Sequence, residues 1–243
     1  GSPRWRLFFQ RLTIKSMNLI KAILSSVGRK YIMATTGLAL AAFVFVHLLG
    51  NLQLFLGADA LNKYAVLLKS NFAILWGYRL GLGAIALVHI VVALSLWVEN
   101  RAARPVKYVV NTYPYADFAS KMMVLGGVAI FFFVIWHVLD LTAGAIRPEL
   151  TEAKTMLGDK EVTDVYHIVL KGIGHPIAGF FYLVATCFLA LHLWHGLESL
   201  LQSLGLRNST YQLYIRLAAR AAVIFLFAGM SLIPIVCMLG ILK

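Results

Sequence analysis

The sequence predicts an all-α, polytopic membrane protein of five transmembrane helices, and two observations carry that expectation. Hydrophobic residues make up 60% of the 243-residue chain and charged residues 13%, against about 45–50% and about 25% in soluble domains. A water-soluble globule has too little interior to hide so much apolar surface, so lipid is the expected solvent. The mean hydropathy of +0.81 agrees. The apolar residues are also gathered into five runs, each long enough for a hydrocarbon layer of about 30 Å, which takes roughly 20 helical residues.

The runs are residues 31–56, 72–98, 122–145, 173–201 and 217–242. The first opens after the basic pair Arg29 and Lys30 and stops before Gly57; the second lies between Asn71 and Glu99. The third starts after Lys121 and ends ahead of Arg147 and Pro148. The fourth follows Lys171 and Gly172, and the fifth follows Arg216. The spacers hold the polar residues and helix breakers: 57–71, 99–121 with Pro105 and Pro114, 146–172 with Pro148, and 202–216 with Gly205. The longest spacer, 146–172, has 27 residues. That leaves no room for an extramembrane catalytic domain, and residues 1–243 read as a single transmembrane domain.

Orientation follows from the basic residues. Of 22 lysines and arginines, fourteen fall in the N-terminal segment, the second spacer and the region around the fourth, with only three acids: Glu99, Asp117 and Glu198. The other side holds eight cations and seven acids, mostly between Arg147 and Lys171. The N-terminus is expected in the cytoplasm. The net charge of +12 is then a topology signal, and no nucleic-acid partner is expected. Cys187 and Cys237 both lie in apolar runs and read as small packing residues rather than a disulfide. Residues 1–16 precede Met17 and read as an extension or tag; if native, their Arg- and Phe-rich stretch would lie on the inner membrane surface as an amphipathic helix. No small-residue cleavage site ends the first run, so it does not read as a signal peptide.

Ionisable groups in a membrane interior are costly and mark function. Each of the first four runs places a histidine in its interior: His47, His89, His137 and His192. The fifth holds none. Depth sorts them, because helix directions alternate and the rise is about 1.5 Å per residue. His47 lies seventeen residues past Lys30 and His137 sixteen past Lys121, which puts both near the outer side. His89 lies ten before Glu99 and His192 six before Glu198, nearer the inner side. Two levels of paired imidazoles from an antiparallel four-helix bundle suit two stacked haems with both axial positions filled, and hence electron transfer. Without a Cys-x-x-Cys-His motif, haem b is the expected type. Zinc would want four ligands at one level. Histidines hydrogen-bonded between helices are the structural alternative. Gly81, Gly126 and Gly196 are small residues near the histidines that suit a flat macrocycle, or ordinary helix packing. His167 reads as solvated, His175 as a cap on the fourth run, and His195 as a propionate contact or a helix-to-helix bond.

Four stretches, GRKYIMATTGLALAAFVFVHLLGNL, LVHIVVALSLWV, IWHVLD and LHLWHGLESLLQSLGL, resemble the two-haem cytochrome b anchor of succinate:quinone oxidoreductases and fumarate reductases, the class with one five-helix anchor subunit. The resemblance runs from Met17 to Lys243. It implies His47 and His137 on the outer haem iron and His89 and His192 on the inner. It also implies a flavoprotein subunit carrying FAD and an iron–sulfur subunit on the cytoplasmic face of a bacterial inner membrane, within a complex that itself assembles further. Electrons would pass between the iron–sulfur clusters and a quinone, with menaquinone favoured. Asn51, Gln53 and Asp140 are the quinone-site candidates, and Asp140 is alternatively held by Lys171 or a backbone donor. Arg29, Lys30, Lys121 and His195 are candidate propionate partners inside, and Lys171 and Arg79 outside. Ala190 stands where fumarate-reducing relatives carry a membrane glutamate, which leans the expectation towards succinate oxidation. Two other classes stay open: the haem b subunit of another membrane dehydrogenase, and a histidine-lined transporter without haem.

Overall fold

The computed structural model describes residues 21–103, 118–206 and 210–242. Residues 1–16, Pro105, Pro114 and Arg207, on which some of the expectations above fall, lie outside the described residues. Among the described residues five helices are long and apolar enough to cross a membrane: Ser26–Leu56, Phe72–Ala102, Met123–Thr142, Pro176–Ser203 and Gln212–Met238. The chain is a multi-pass, all-α protein, and the described residues include one small hairpin.

The helix ends follow local chemistry. Ser25 caps the first span by accepting from the Gly28 amide at 3.0 Å, and Asn71 caps the second through Ile74 at 3.1 Å. The first span tightens into a 3-10 turn over Leu52–Leu56 and stops at Gly57, whose φ of 97° suits glycine. The third span is α-helical only to His137 and finishes as a π turn, Val138–Thr142. The fourth starts at Pro176 rather than at 173, because the residue before a proline is pushed out of the helical region: His175 sits at φ −65° and ψ 126°. His175 holds the N-cap position but its side chain makes no capping bond.

The first and third spacers, which lie on the side expected to be outer and are called outer below, are structured, which the apolar runs did not foretell. Ala58–Lys69 forms a helix after the first span, and Pro148–Thr151 a single turn. Strands β1 (Lys154–Leu157) and β2 (Lys160–Thr163) pair antiparallel across Gly158 and Asp159, a glycine-bearing two-residue turn that the sequence displays plainly. Val165–Gly174 is a further helix, capped by Asp164. Asn62, 2% exposed, clasps these pieces: it donates to Asp164 at 3.1 Å and accepts from the Tyr166 amide at 3.1 Å.

Packing is uneven. The second span lies along the first, the third along the fourth, and the first and fourth pack together, while the fifth packs behind both. No comparable packing joins the second span to the third. The first four spans therefore make a square whose second-to-third side is open. The buried core lies on the other side, where Leu48, Leu193, Val223, Leu226, Ile233 and Cys237 meet Leu54, Leu61, Tyr166 and Val169 of the outer layer. A Cβ on Gly229 would meet Leu48 at 2.8 Å, so the first and fifth spans touch through that glycine. No residue of the second span is buried.

Candidate functional site

The four histidines project along the diagonals of the square. The ring centres of His47, on the first span, and His137, on the third, are 6.0 Å apart with planes at 85°. Those of His89, on the second, and His192, on the fourth, are 6.5 Å apart at 69°. Imidazoles bind transition metals at about 2.0–2.1 Å, so two rings on opposite sides of one ion have centres roughly 6 Å apart. Both pairs have that spacing, and both use helices that do not pack on each other. Among the described residues no three His, Cys, Asp or Glu side chains gather into a metal cluster, so each pair stands by itself.

Contacts around each ring fix its orientation. The Thr36 hydroxyl donates to the Ile32 carbonyl at 2.6 Å, which leaves its oxygen to accept from Nδ1 of His89 at 3.1 Å. Nδ1 of His137 lies 2.7 Å from the Tyr182 hydroxyl. A ligand histidine normally has its second nitrogen held in this way, which sets the tautomer and frees Nε2 for the metal. Nδ1 of His192 is buried without a hydrogen-bond partner. Phe43 and Phe133, each one turn before a histidine, stack on His47 and His137 at 5.3 and 5.8 Å.

The inner rings lie against glycine backbone instead. A Cβ on Gly37 would fall 3.1 Å from Cε1 of His89, and one on Gly127 would fall 3.5 Å from Cε1 of His192. Neither glycine stood out in the sequence, because each faces a histidine of another span. A Cβ on Gly126 would fall 3.5 Å from the Phe188 carbonyl oxygen, whereas one on Gly81 or Gly196 would meet nothing within 4 Å. Open backbone at Gly81 and Gly196, with an unpacked side of the square, is room of the kind a flat macrocycle needs. The residues therefore fit a haem at each level.

The polar candidates divide. Asp140 is wholly buried, and its partner is Arg147 rather than Lys171: Nε donates to Oδ1 at 2.8 Å and Nη2 to Oδ2. Nη2 also donates to the Gly172 carbonyl at 3.1 Å. The hydrogen-bonded carboxylate holds the Arg147 guanidinium above its ordinary pKa. Arg147 was missed because seven residues and a π turn separate it from Asp140. Asn51 donates to the carbonyl of His47, one turn back, at 2.7 Å, so its amide nitrogen is engaged within its own helix. Gln53 is half-buried in the 3-10 turn.

At the inner rim Arg29 pairs with Glu99 and reaches Ser95 at 3.5 Å, and its Nε is buried without a partner. Arg220 pairs with Glu198 at 3.0 Å and lies over Trp194. Lys30, Lys121 and Lys171 are exposed, and His195 is half-buried one turn beyond His192. Arg79 is exposed and lies 5.3 Å over Trp76. On the outer side, burial and the nearby charges of Arg79 and Lys154 lower the Lys69 pKa, so three cations share one region there. His167 is exposed.

No known protein family, curated protein or solved structure matches this chain.

Proposed function

We propose that this chain is the membrane anchor and electron-transfer subunit of a succinate:quinone oxidoreductase, with two haems b in its four-helix square. The observation that carries the reading is the pair of diagonal histidine contacts, 6.0 and 6.5 Å between ring centres, each at the spacing of two axial ligands on one ion. A bound haem would supply one-electron transfer there. His47 and His137 hold the outer group, His89 and His192 the inner. Thr36 and Tyr182 orient the rings of His89 and His137 through Nδ1. Arg29, with a buried Nε and a place at the inner end of the first span, is the propionate contact best supported.

The protein partners are a flavoprotein and an iron–sulfur subunit on the cytoplasmic face of a bacterial inner membrane, with the N-terminus on that side. The ordered set of four histidine motifs supports the family, and the one-sided excess of Arg and Lys supports the orientation. Purified protein should carry two haems b per chain with low-spin spectra and should co-purify with a covalently flavinylated subunit. Folded protein without haem would overturn the reading in favour of a histidine-lined transporter. Haem with a different dehydrogenase partner would retain the cytochrome and reject succinate.

A further inference from the structure

The second span carries its own measure of the bilayer. Trp76 and Trp97, both exposed, stand twenty-one residues apart in one helix, about 31 Å at a rise of 1.5 Å per residue, which is the thickness of a hydrocarbon layer. Indole rings favour the two membrane–water boundaries, so Trp76 marks the outer one and Trp97 the inner. Arg79 stands three residues further in than Trp76, between the exposed side chains of Tyr78 and Leu80. Its guanidinium lies 5.3 Å over the Trp76 ring, so the side chain bends back to the boundary. Arg101 lies over Trp97 at 5.1 Å, but four residues beyond it and on the water side. The outer arginine is thus rooted in hydrocarbon, and among the described residues no carboxylate lies within ion-pair distance of it. We propose that Arg79, with Lys69 and Lys154, holds the phosphate of an anionic phospholipid whose acyl chains lie along the second span.

Three elements each bring one cation to this place. Lys69 closes the helix Ala58–Lys69, Lys154 opens β1, and the helix packs on both the hairpin and the second span. Burial and the charges of Arg79 and Lys154 lower the Lys69 pKa, so the three are close enough to repel one another. The polar groups beside them are engaged elsewhere. Asp59 pairs with Lys63 at 3.9 Å, the Ser70 hydroxyl donates to the Leu67 carbonyl at 2.8 Å, and Asn71 caps the span. A phosphodiester offsets the repulsion and offers oxygens that accept from guanidinium and ammonium groups. A trimethylammonium headgroup would add a further cation, which favours phosphatidylglycerol over phosphatidylcholine. Below the phosphate, Leu80, Leu87 and Val91 recur at helical spacing as one exposed apolar stripe for the chains.

The bound phosphate has a structural consequence. The second span has no buried residue, and a headgroup held jointly by Arg79, Lys69 and Lys154 ties its outer end to the outer helix and hairpin. Arg79 then serves a lipid rather than an outer propionate. The site needs only a bilayer around the spans, so it stands whether or not the chain carries haem.

The test is native mass spectrometry of the full chain released from micelles that contain equal amounts of phosphatidylglycerol and phosphatidylcholine, with helicity read by circular dichroism. The most tightly held lipid is expected to be phosphatidylglycerol. Arg79→Gln and Lys154→Gln should each weaken retention of that lipid about tenfold, the effect of one charge-assisted hydrogen bond. Lys160→Gln, at the turn end of the same hairpin, removes the same charge and should leave retention unchanged. Equal retention of the two lipids, or an equal loss in Lys160→Gln, overturns the site in favour of general attraction to a charged surface. Full retention in helical Arg79→Gln and Lys154→Gln overturns it as well. Displacement of the lipid by inorganic phosphate overturns the lipid as occupant in favour of a free anion.

Discussion

The two histidine pairs occupy equivalent diagonals of one square and are built by opposite means. The outer pair is held by added side chains: Phe43 and Phe133 stack on its rings, Tyr182 takes Nδ1 of His137, and the Asp140–Arg147 pair closes the end. The inner pair is held by side chains left out, with Gly37 and Gly127 letting backbone approach the rings, and Thr36 as the single hydroxyl on His89. Its rim carries ion pairs that water reaches, since the Glu99 side chain is 48% exposed and that of Glu198 31%. Rings fixed by neighbours tolerate loss of one contact; rings fixed by close backbone do not tolerate gain of an atom.

The largest expected effect tests whether the pairs are independent. His192→Ala should lower haem from two per chain to one and leave the outer spectrum, and His137→Ala should do the reverse; pyridine haemochromogen assay against helicity reads both. Loss of both haems from either variant with helicity kept would mean one coupled site. Next is the contrast in charge burial. Asp140→Ala leaves a partly buried guanidinium unpaired and should cost about 3–5 kcal/mol, whereas Glu99→Ala, at a screened rim, should cost about 0–1 kcal/mol. Thermal unfolding in detergent separates them, and equal midpoints would end the distinction.

Gly37→Val should displace the His89 ring at a cost of about 1–3 kcal/mol and lower inner-haem occupancy. Gly127→Ala, with an ordinary 3.5 Å contact, should keep it. The smallest effect belongs to Tyr182→Phe. Losing one hydrogen bond costs about 0.5–1.5 kcal/mol, and loss of the acceptor on Nδ1 should raise the outer midpoint potential while both haems stay bound. A redox titration showing the inner potential moving instead would reverse the assignment of Tyr182.

Much of this was legible in the chain because the bilayer makes sequence and position nearly the same thing. A helix crossing a layer of fixed thickness must show its length as an apolar run, and residue count along it is depth, so His47 and His137 could be placed together before any contact was known. The outer layer was less legible. Of its helices, Ala58–Lys69 is polar enough to read as loop and Val165–Gly174, though apolar, is too short to read as a span, and the turn pair Gly158 and Asp159 passed unread between them. Asp140 was visible as a carboxyl at a span's end, but its partner depends on a π turn and a proline-bounded loop that bring Arg147 back.

By itself the sequence determined five spans and which histidines share a level, since those quantities depend on hydrophobicity, flanking charge and rise per residue. Only the tertiary structure decided that the pairs lie on diagonals at 6.0 and 6.5 Å, that glycines on facing helices accommodate the inner rings, and that Arg147 takes Asp140. Those depend on how each helix is rotated about its axis and which neighbour it meets, which periodicity alone leaves open when every face of a span is apolar.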